Sequence, residues 1–221
     1  MDVLDKPPKQ RTEVRQASLI EAALRLAAQR SPASITTADL ASAVGITQGA
    51  VFRHFASKEA IWLAVLDWVT EALMAHLQAA ADAATLTHAD RSEASQPFAA
   101  LRAVFLAHVD FVVTHPGVPR VIFQELQSPG DTAMKSRVRG LMQRYRQLLL
   151  NLLQQVQSEQ GLQADIDLNA AAVLFIGAVQ GLVIQALMSG NAPAMALQAP
   201  SVFAIYQRGL LARPTDSQGT P

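Results

Sequence analysis

Residues 35–62, ITTADLASAVGITQGAVFRHFASKEAIW, organise the reading of the whole chain. They predict two short helices, a tight turn between them and the start of a third helix. Thr36 or Thr37 is placed to cap the first, because a threonine oxygen accepts from amides that the first helical turn leaves unpaired. Ala38, Leu40, Ala41 and Val44 supply its inward side. Gly45 ends it, since glycine enters the left-handed region without steric cost, and Ile46 is the buried turn residue. Thr47 caps the second helix, whose Ala50, Val51 and Phe55 look inward and whose Gln48, Gly49, Arg53 and His54 look outward. Ser57 caps the third, with Glu59 in its first turn, where a helix N-terminus favours negative charge. Helix, glycine turn and second helix with small polar tips form a helix-turn-helix of the kind that reads DNA.

This pattern assigns a role to each outward residue. The helix over residues 47–54 enters the major groove. Gln48 pairs bidentately with adenine, and Arg53 reaches guanine or a phosphate. Gly49 and Ala50 keep the helix face thin, so that the groove floor approaches, and Ala50 meets a thymine methyl. Thr37, Thr47, His54 and Lys58 hold phosphates, the last from a helix N-terminus that already attracts anions.

The same residues carry a resemblance. The ordered pattern A-x-x-x-G-I-T-x-G-A-V-F-x-H-F-x-S-K-E, read from Ala41 to Glu59, resembles the DNA-binding domain of the TetR/AcrR family of transcriptional repressors. The likeness runs from about Arg15 to Leu66. Two positions depart from the family pattern. Ser31-Pro32-Ala33 stands where the family usually has a glycine turn, and Phe52 stands where it usually has Tyr, so no hydroxyl reaches a phosphate there. The resemblance implies a homodimer on double-stranded DNA, an effector held in a second domain, and a four-helix dimer interface made by the last two helices.

Composition narrows the class. Half of the 221 residues are apolar, aromatics are few, and Ala and Leu dominate, which favours packed helices over sheets. Cysteine is absent, which removes disulfide and thiol chemistry and fits a reducing cytoplasm. The N-terminal MDVLDKPPKQR has no apolar run and is not expected to be a signal peptide. The net charge of zero argues against a bulk nucleic-acid coat protein. Residues 1–60 nevertheless carry a balance of +2, placed around the helix-turn-helix. Lys6, Lys9, Arg11 and Arg15 either reach DNA phosphates or belong to a solvated arm.

The chain in order predicts an all-α protein of about nine helices. Residues 1–60 are expected to form a three-helix DNA-binding domain. Residues 61–221 are expected to form a larger ligand-binding and dimerisation domain. Apolar spacing predicts a bracing helix over 12–30 and a long helix from Lys58 to about 81, with a loop at 83–96. Further helices are expected from Pro97 to 115, over 121–127, from Asp131 or Thr132 to Gly161, over 169–189, and from about Ser201 after a proline-containing loop. The basic side of the 131–161 helix, Lys135, Arg137, Arg139, Arg144 and Arg146, reads as a solvated face rather than a second DNA patch.

Residues 170–188, AAAVLFIGAVQGLVIQALM, carry no charge and are nearly as long as a membrane span. Gln180 and Gln185 interrupt the run, and the preferred reading is a helix packed on one side in its own core and on the other in a second subunit. No membrane is expected. Gly177 and Gly181 allow close helix approach, and Ile184 and Phe203 complete the expected dimer interface. Trp68, Phe105, Phe111, Met142, Tyr145 and Phe175, with His108 and Gln180 as polar anchors, are the candidate lining for an apolar or aromatic effector.

There is no glycine-rich phosphate loop, no G-x-S-x-G elbow and no H-E-x-x-H. His108 and His115, seven apart, lack a third ligand at fitting spacing and read as ordinary helix histidines. No enzyme activity, metal or cofactor is expected. The expected function is a ligand-released repressor on a palindromic operator. The alternative is a DNA-binding protein that acts through a protein partner without sensing a small molecule.

Overall fold

The computed structural model describes residues 12–89, 98–159 and 162–211. Among them are nine α-helices and no strand: α1 Thr12–Gln29, α2 Thr37–Ala43, α3 Gln48–Val51, α4 Lys58–Ala89, α5 Ala99–Thr114, α6 Gly117–Gln127, α7 Ala133–Ser158, α8 Leu168–Ser189 and α9 Ala192–Leu210. A single 3₁₀ turn, Pro32–Ser34, lies between α1 and α2. The chain divides into two compact units. The first comprises residues 1–69 and 115–138, the second residues 70–114 and 139–221.

The first unit is built on local caps. Thr36 caps α2 in a capping box: its hydroxyl accepts from the Asp39 amide, and the Asp39 carboxylate accepts from the Thr36 amide at 2.7 Å. Those bonds from Thr36, with help from Arg30 at 2.9 Å, hold the Asp39 carboxyl down at about 2. Gly45, at φ +68°, ends α2. Its amide bonds to Ser42 and that of Ile46 to Ala41, the paired bonds of a left-handed helix stop. Thr47 caps α3 and Ser57 caps α4, whose Ala60 amide bonds the serine hydroxyl at 3.0 Å. Leu19, Ala23, Ile35, Leu40, Val51, Ile61 and Val65 close the core beneath them.

Helix α6 belongs to this unit and packs on α1. A Cβ built on Gly117 would lie 2.1 Å from the Leu24 carbonyl oxygen, so only glycine permits the approach. Towards its other end, Gln124 Oε1 accepts from the Ala33 amide at 3.0 Å and the Ser31 hydroxyl at 3.2 Å. Beyond it, buried Glu125 accepts from the Thr132 hydroxyl, and Lys135 Nζ donates to the Ser128 and Gly130 carbonyls at 2.6 and 2.9 Å.

The second unit packs α5 against α8 and α9, and α8 against α9. Asp167 and Asn191 cap α8 and α9. Arg144 pairs bidentately with Glu71, and Arg146 donates to Asn169 at 2.9 Å. In the first unit Arg137 meets Asp67 at 3.0 Å. The basic side of α7 is thus spent on partners within the chain.

Several boundaries differ from the expectation. Helix α4 runs on to Ala89 where a loop was expected, because the alanines of that segment are the strongest helix formers and outweigh its threonines. Helix α6 begins at Gly117, with Pro119 tolerated in a first turn whose amides are unpaired anyway. Helix α9 begins at Ala192, not near Ser201: Pro193 falls in the first turn and Pro200 is accommodated inside the helix. Helix α3 is a single turn over Gln48–Val51, continued by tighter turns to His54. The expected positions of Pro97, Gly161 and the N-terminal arm to Arg11 lie outside the described residues.

Candidate functional site

The outward side of the first unit gathers most of the residues expected to meet DNA. Gln48, Gly49 and Arg53 are exposed, and a Cβ on Gly49 would meet nothing within 4 Å, so the face is open and thin. Ala50 is half-buried beside them. Thr47 is exposed but spends its oxygen as the cap of α3, accepting from the Ala50 amide at 3.3 Å. His54 is half-buried; its carbonyl accepts from Gln16 Nε2 at 2.9 Å, while its ring Nδ1 is buried without a hydrogen-bond partner.

Three of the expected phosphate contacts are engaged inside the unit. Thr37 is buried, and its Oγ1 accepts from Gln48 Nε2 at 2.8 Å. Lys58 Nζ donates to the Ala33 carbonyl at 3.2 Å. Arg15 donates to Val44 O at 3.4 Å, and Arg25 to Ala43 O at 3.3 Å, so two guanidinium groups sit at the negative C-terminal end of α2. Phe52, one residue past α3, is half exposed next to Arg53. The sequence reading did not single out Gln16 or Gln124. No local pattern marks them, because their partners lie 38 and more than 90 residues away.

The second unit brings part of the expected effector lining together. The Phe105 and Phe175 ring centroids are 5.2 Å apart, edge to face, and those of Tyr145 and Phe175 6.4 Å. Tyr206, which had not been expected there, lies 5.5 Å from Phe175 and donates its hydroxyl to the Ala171 carbonyl at 3.2 Å. Phe203 is a correction. It is buried and stacks on Phe105 at 5.5 Å, inside this cluster and not on an outer face, because α9 turns its Phe203 and Tyr206 side onto α5 and α8. Phe111 is buried and meets His76 at 6.1 Å. Met142 and Gln180 are half-buried. Trp68 is not part of this group: it belongs to the first unit, where its ring lies 5.4 Å from His115. Phe105, Tyr145 and Phe175 are fully buried, so the centre of the expected lining is filled by its own rings.

One polar pair sits in that apolar setting. His108 Nδ1 and the Tyr145 hydroxyl are 2.9 Å apart. Burial lowers the His108 pKa to about 4 and pushes the Tyr145 phenol well above its usual range, so both are neutral at pH 7. Because the folded value of His108 lies below its ordinary 6.5, the unfolded chain takes up the proton first as the pH falls. The neutral ring therefore costs no stability above pH ~6.5, and stability is lost between about 6.5 and about 4, approaching ~3 kcal/mol. Urea denaturation at pH 7 and 4.5 reads this. The decline is expected to be shallower in His108→Gln, and an equal decline in both proteins would remove His108 as its source.

Helices α8 and α9 leave an apolar face outside. Val173, Leu174, Ile184 and Met188 of α8, and Leu197 and Ile205 of α9, are exposed, Met188 at 77% and Leu197 at 83%. Gly177 and Gly181 lie on this face, and a Cβ on either would meet nothing within 4 Å. By length and composition α4 and α8 are each apolar enough to cross a membrane, but 44% and 33% of their apolar windows are buried within the protein itself.

These features define a helix-turn-helix DNA-binding regulator with a separate helical unit. Residues 19–65 match the family model of bacterial regulatory proteins of the tetR family, and residues 99–206 match that of the C-terminal part of BetI-type transcriptional repressors. The chain belongs to the TetR family of transcriptional regulators. It is 25% identical over 168 residues to the nucleoid occlusion factor SlmA of Vibrio cholerae, covering 76% of this chain and 81% of that protein. Over 185 residues it is 25% identical to the SlmA of Glaesserella parasuis, covering 83% and 86%. Among solved structures it superposes on the fatty acid degradation regulator FadR of Bacillus halodurans with a TM-score of 0.72, at 16% identity and over 95% and 100% of the two chains. For FadR of Bacillus subtilis, solved with stearoyl-CoA, the TM-score is 0.71 at 16% identity, over 87% and 98%. Proteins of this family bind DNA and usually act as dimers.

Proposed function

We propose that two copies of this chain bind a near-palindromic operator in the cytoplasm and repress transcription, and that an apolar or aromatic small molecule releases them. The observation that carries the DNA reading is the open face of α3, where Gln48 and Gly49, and Arg53 just after them, stand exposed on a turn capped by Thr47. The pairing rests on the apolar outer face of α8 and α9. Within one chain neither Gly177 nor Gly181 is needed for packing, and alanine there would favour the helix by about 1 kcal/mol. Glycine at both positions suits a second copy of α8 approaching closely. Two readers on a two-fold axis address half-sites about one helical turn apart, roughly 34–36 Å.

The effector reading rests on the His108–Tyr145 pair, a hydrogen-bonded polar group set among apolar rings, which gives an apolar guest one point of orientation. The Bacillus subtilis neighbour solved with stearoyl-CoA is a fold relative that holds an acyl compound. The second reading, action through a protein partner, is favoured by the filled ring cluster and by relatives described as nucleoid occlusion factors.

Selection from random duplexes tests the DNA reading, with a near-palindrome as the expected product. A panel of acyl compounds, steroids and planar aromatics tests the effector. An active compound is expected to change tryptophan emission and weaken operator binding together, and operator DNA to weaken its binding by the same factor. Tight ligands that leave operator affinity untouched would transfer the role to a protein partner.

A further inference from the structure

The bond between Gln48 and Thr37 joins the two helices of the reader at the point where a base would be read. Gln48 is exposed on α3, yet its Nε2 donates to Thr37 Oγ1 at 2.8 Å. Thr37 itself is buried in the first turn of α2, 9% exposed, and that turn is fixed by the Thr36–Asp39 capping box. A glutamine side chain has three rotors and, unsupported, presents its amide in many orientations. Here one N–H is committed to a fixed oxygen. The amide oxygen and the second N–H remain for a partner, one acceptor and one donor.

We propose that Thr37 is a positioning residue for base reading: it orients the Gln48 amide so that its free acceptor and donor meet the matching donor and acceptor of an adenine edge in the major groove. Adenine offers N6–H as donor and N7 as acceptor, and the glutamine edge left free by Thr37 is complementary to that pair. This inference rests on the proposed DNA reading and names the residue that sets its specificity.

The test uses the full-length protein, the duplex enriched by selection, and a duplex changed at the base pair that Gln48 reads. Gln48→Ala locates that pair as the position where discrimination is lost. Thr37→Val keeps the shape and removes the acceptor; Thr37→Ser keeps the hydroxyl. Thr37→Val is expected to reduce discrimination at that pair by about two- to tenfold, the cost of immobilising one rotamer-rich side chain. Thr37→Ser is expected to restore it, and Thr37→Val is expected to add nothing further in the Gln48→Ala background. Non-specific binding carries no such dependence, and thermal melting reports whether Val is tolerated. Full discrimination in Thr37→Val alongside its loss in Gln48→Ala would overturn the positioning role and leave the DNA reading intact. No loss in Gln48→Ala would overturn both.

Discussion

Gly181→Arg is expected to yield a folded monomer that no longer holds its operator. The substituted Cβ meets nothing within 4 Å in the single chain, and the position is exposed, so the side chain reaches water and the helix gains a better former than glycine. In a pair of chains apposed along α8 the same guanidinium is buried against an uncharged partner face, since α8 has no charged residue to pair with it. An uncompensated buried charge costs about 3–5 kcal/mol, and a two-fold axis imposes it twice. Sedimentation at micromolar concentration is expected to give a monomer with unchanged helix content, and operator affinity is expected to fall more than about a hundredfold. A Gly181→Arg protein that sediments as a dimer would remove this helix from the interface.

Gly117→Ala is the second large effect, and it acts on the reader from far away in sequence. The added methyl would sit 2.1 Å from the Leu24 oxygen and 3.0 Å from its carbon, both backbone atoms that cannot rotate aside. Helix α6 must therefore move off α1. Overpacking of this kind costs about 1–3 kcal/mol, and the displacement pulls on Gln124, which holds the 31–34 turn ahead of α2 through two hydrogen bonds. The first unit is expected to melt lower and operator binding to weaken. Gly140→Ala is the control, since a Cβ there meets nothing within 4 Å and the change is expected to stabilise α7 by about 1 kcal/mol. Equal melting of the two variants would refute the close approach.

The contrast between these two glycines marks what the sequence could carry. The helix-turn-helix was legible because its caps are local: Thr36, Gly45, Thr47 and Ser57 each satisfy a backbone group within a few residues. Gly177 and Gly181 were legible as a spaced pair on a charge-free helix. Gly117 stands between Pro116 and Pro119, outside the helices expected there, and its purpose lies in a contact with Leu24, 93 positions earlier. Periodicity also named the inward aromatics of the second unit without saying which of them meet. It could not separate a pocket from a filled core, and Phe203, expected in the dimer interface, is buried by the rotation of α9. The start of α9 was missed because Pro193 and Pro200 read as loop residues, although a first turn has no use for the amide that proline lacks. Thr37 was expected to cap α2 or to hold a phosphate, and its bond to Gln48 depends on how α2 and α3 cross.

At the centre of the account stands a two-fold pair of chains reading DNA through α3. The most direct test titrates the selection-enriched duplex, and a duplex carrying only one of its half-sites, with the full-length protein, reading complex mass and affinity together. Two chains are expected on the full site, with the half-site bound at least about tenfold more weakly because one set of base contacts is gone. A single chain on the full site, held as tightly as on the half-site, would contradict it.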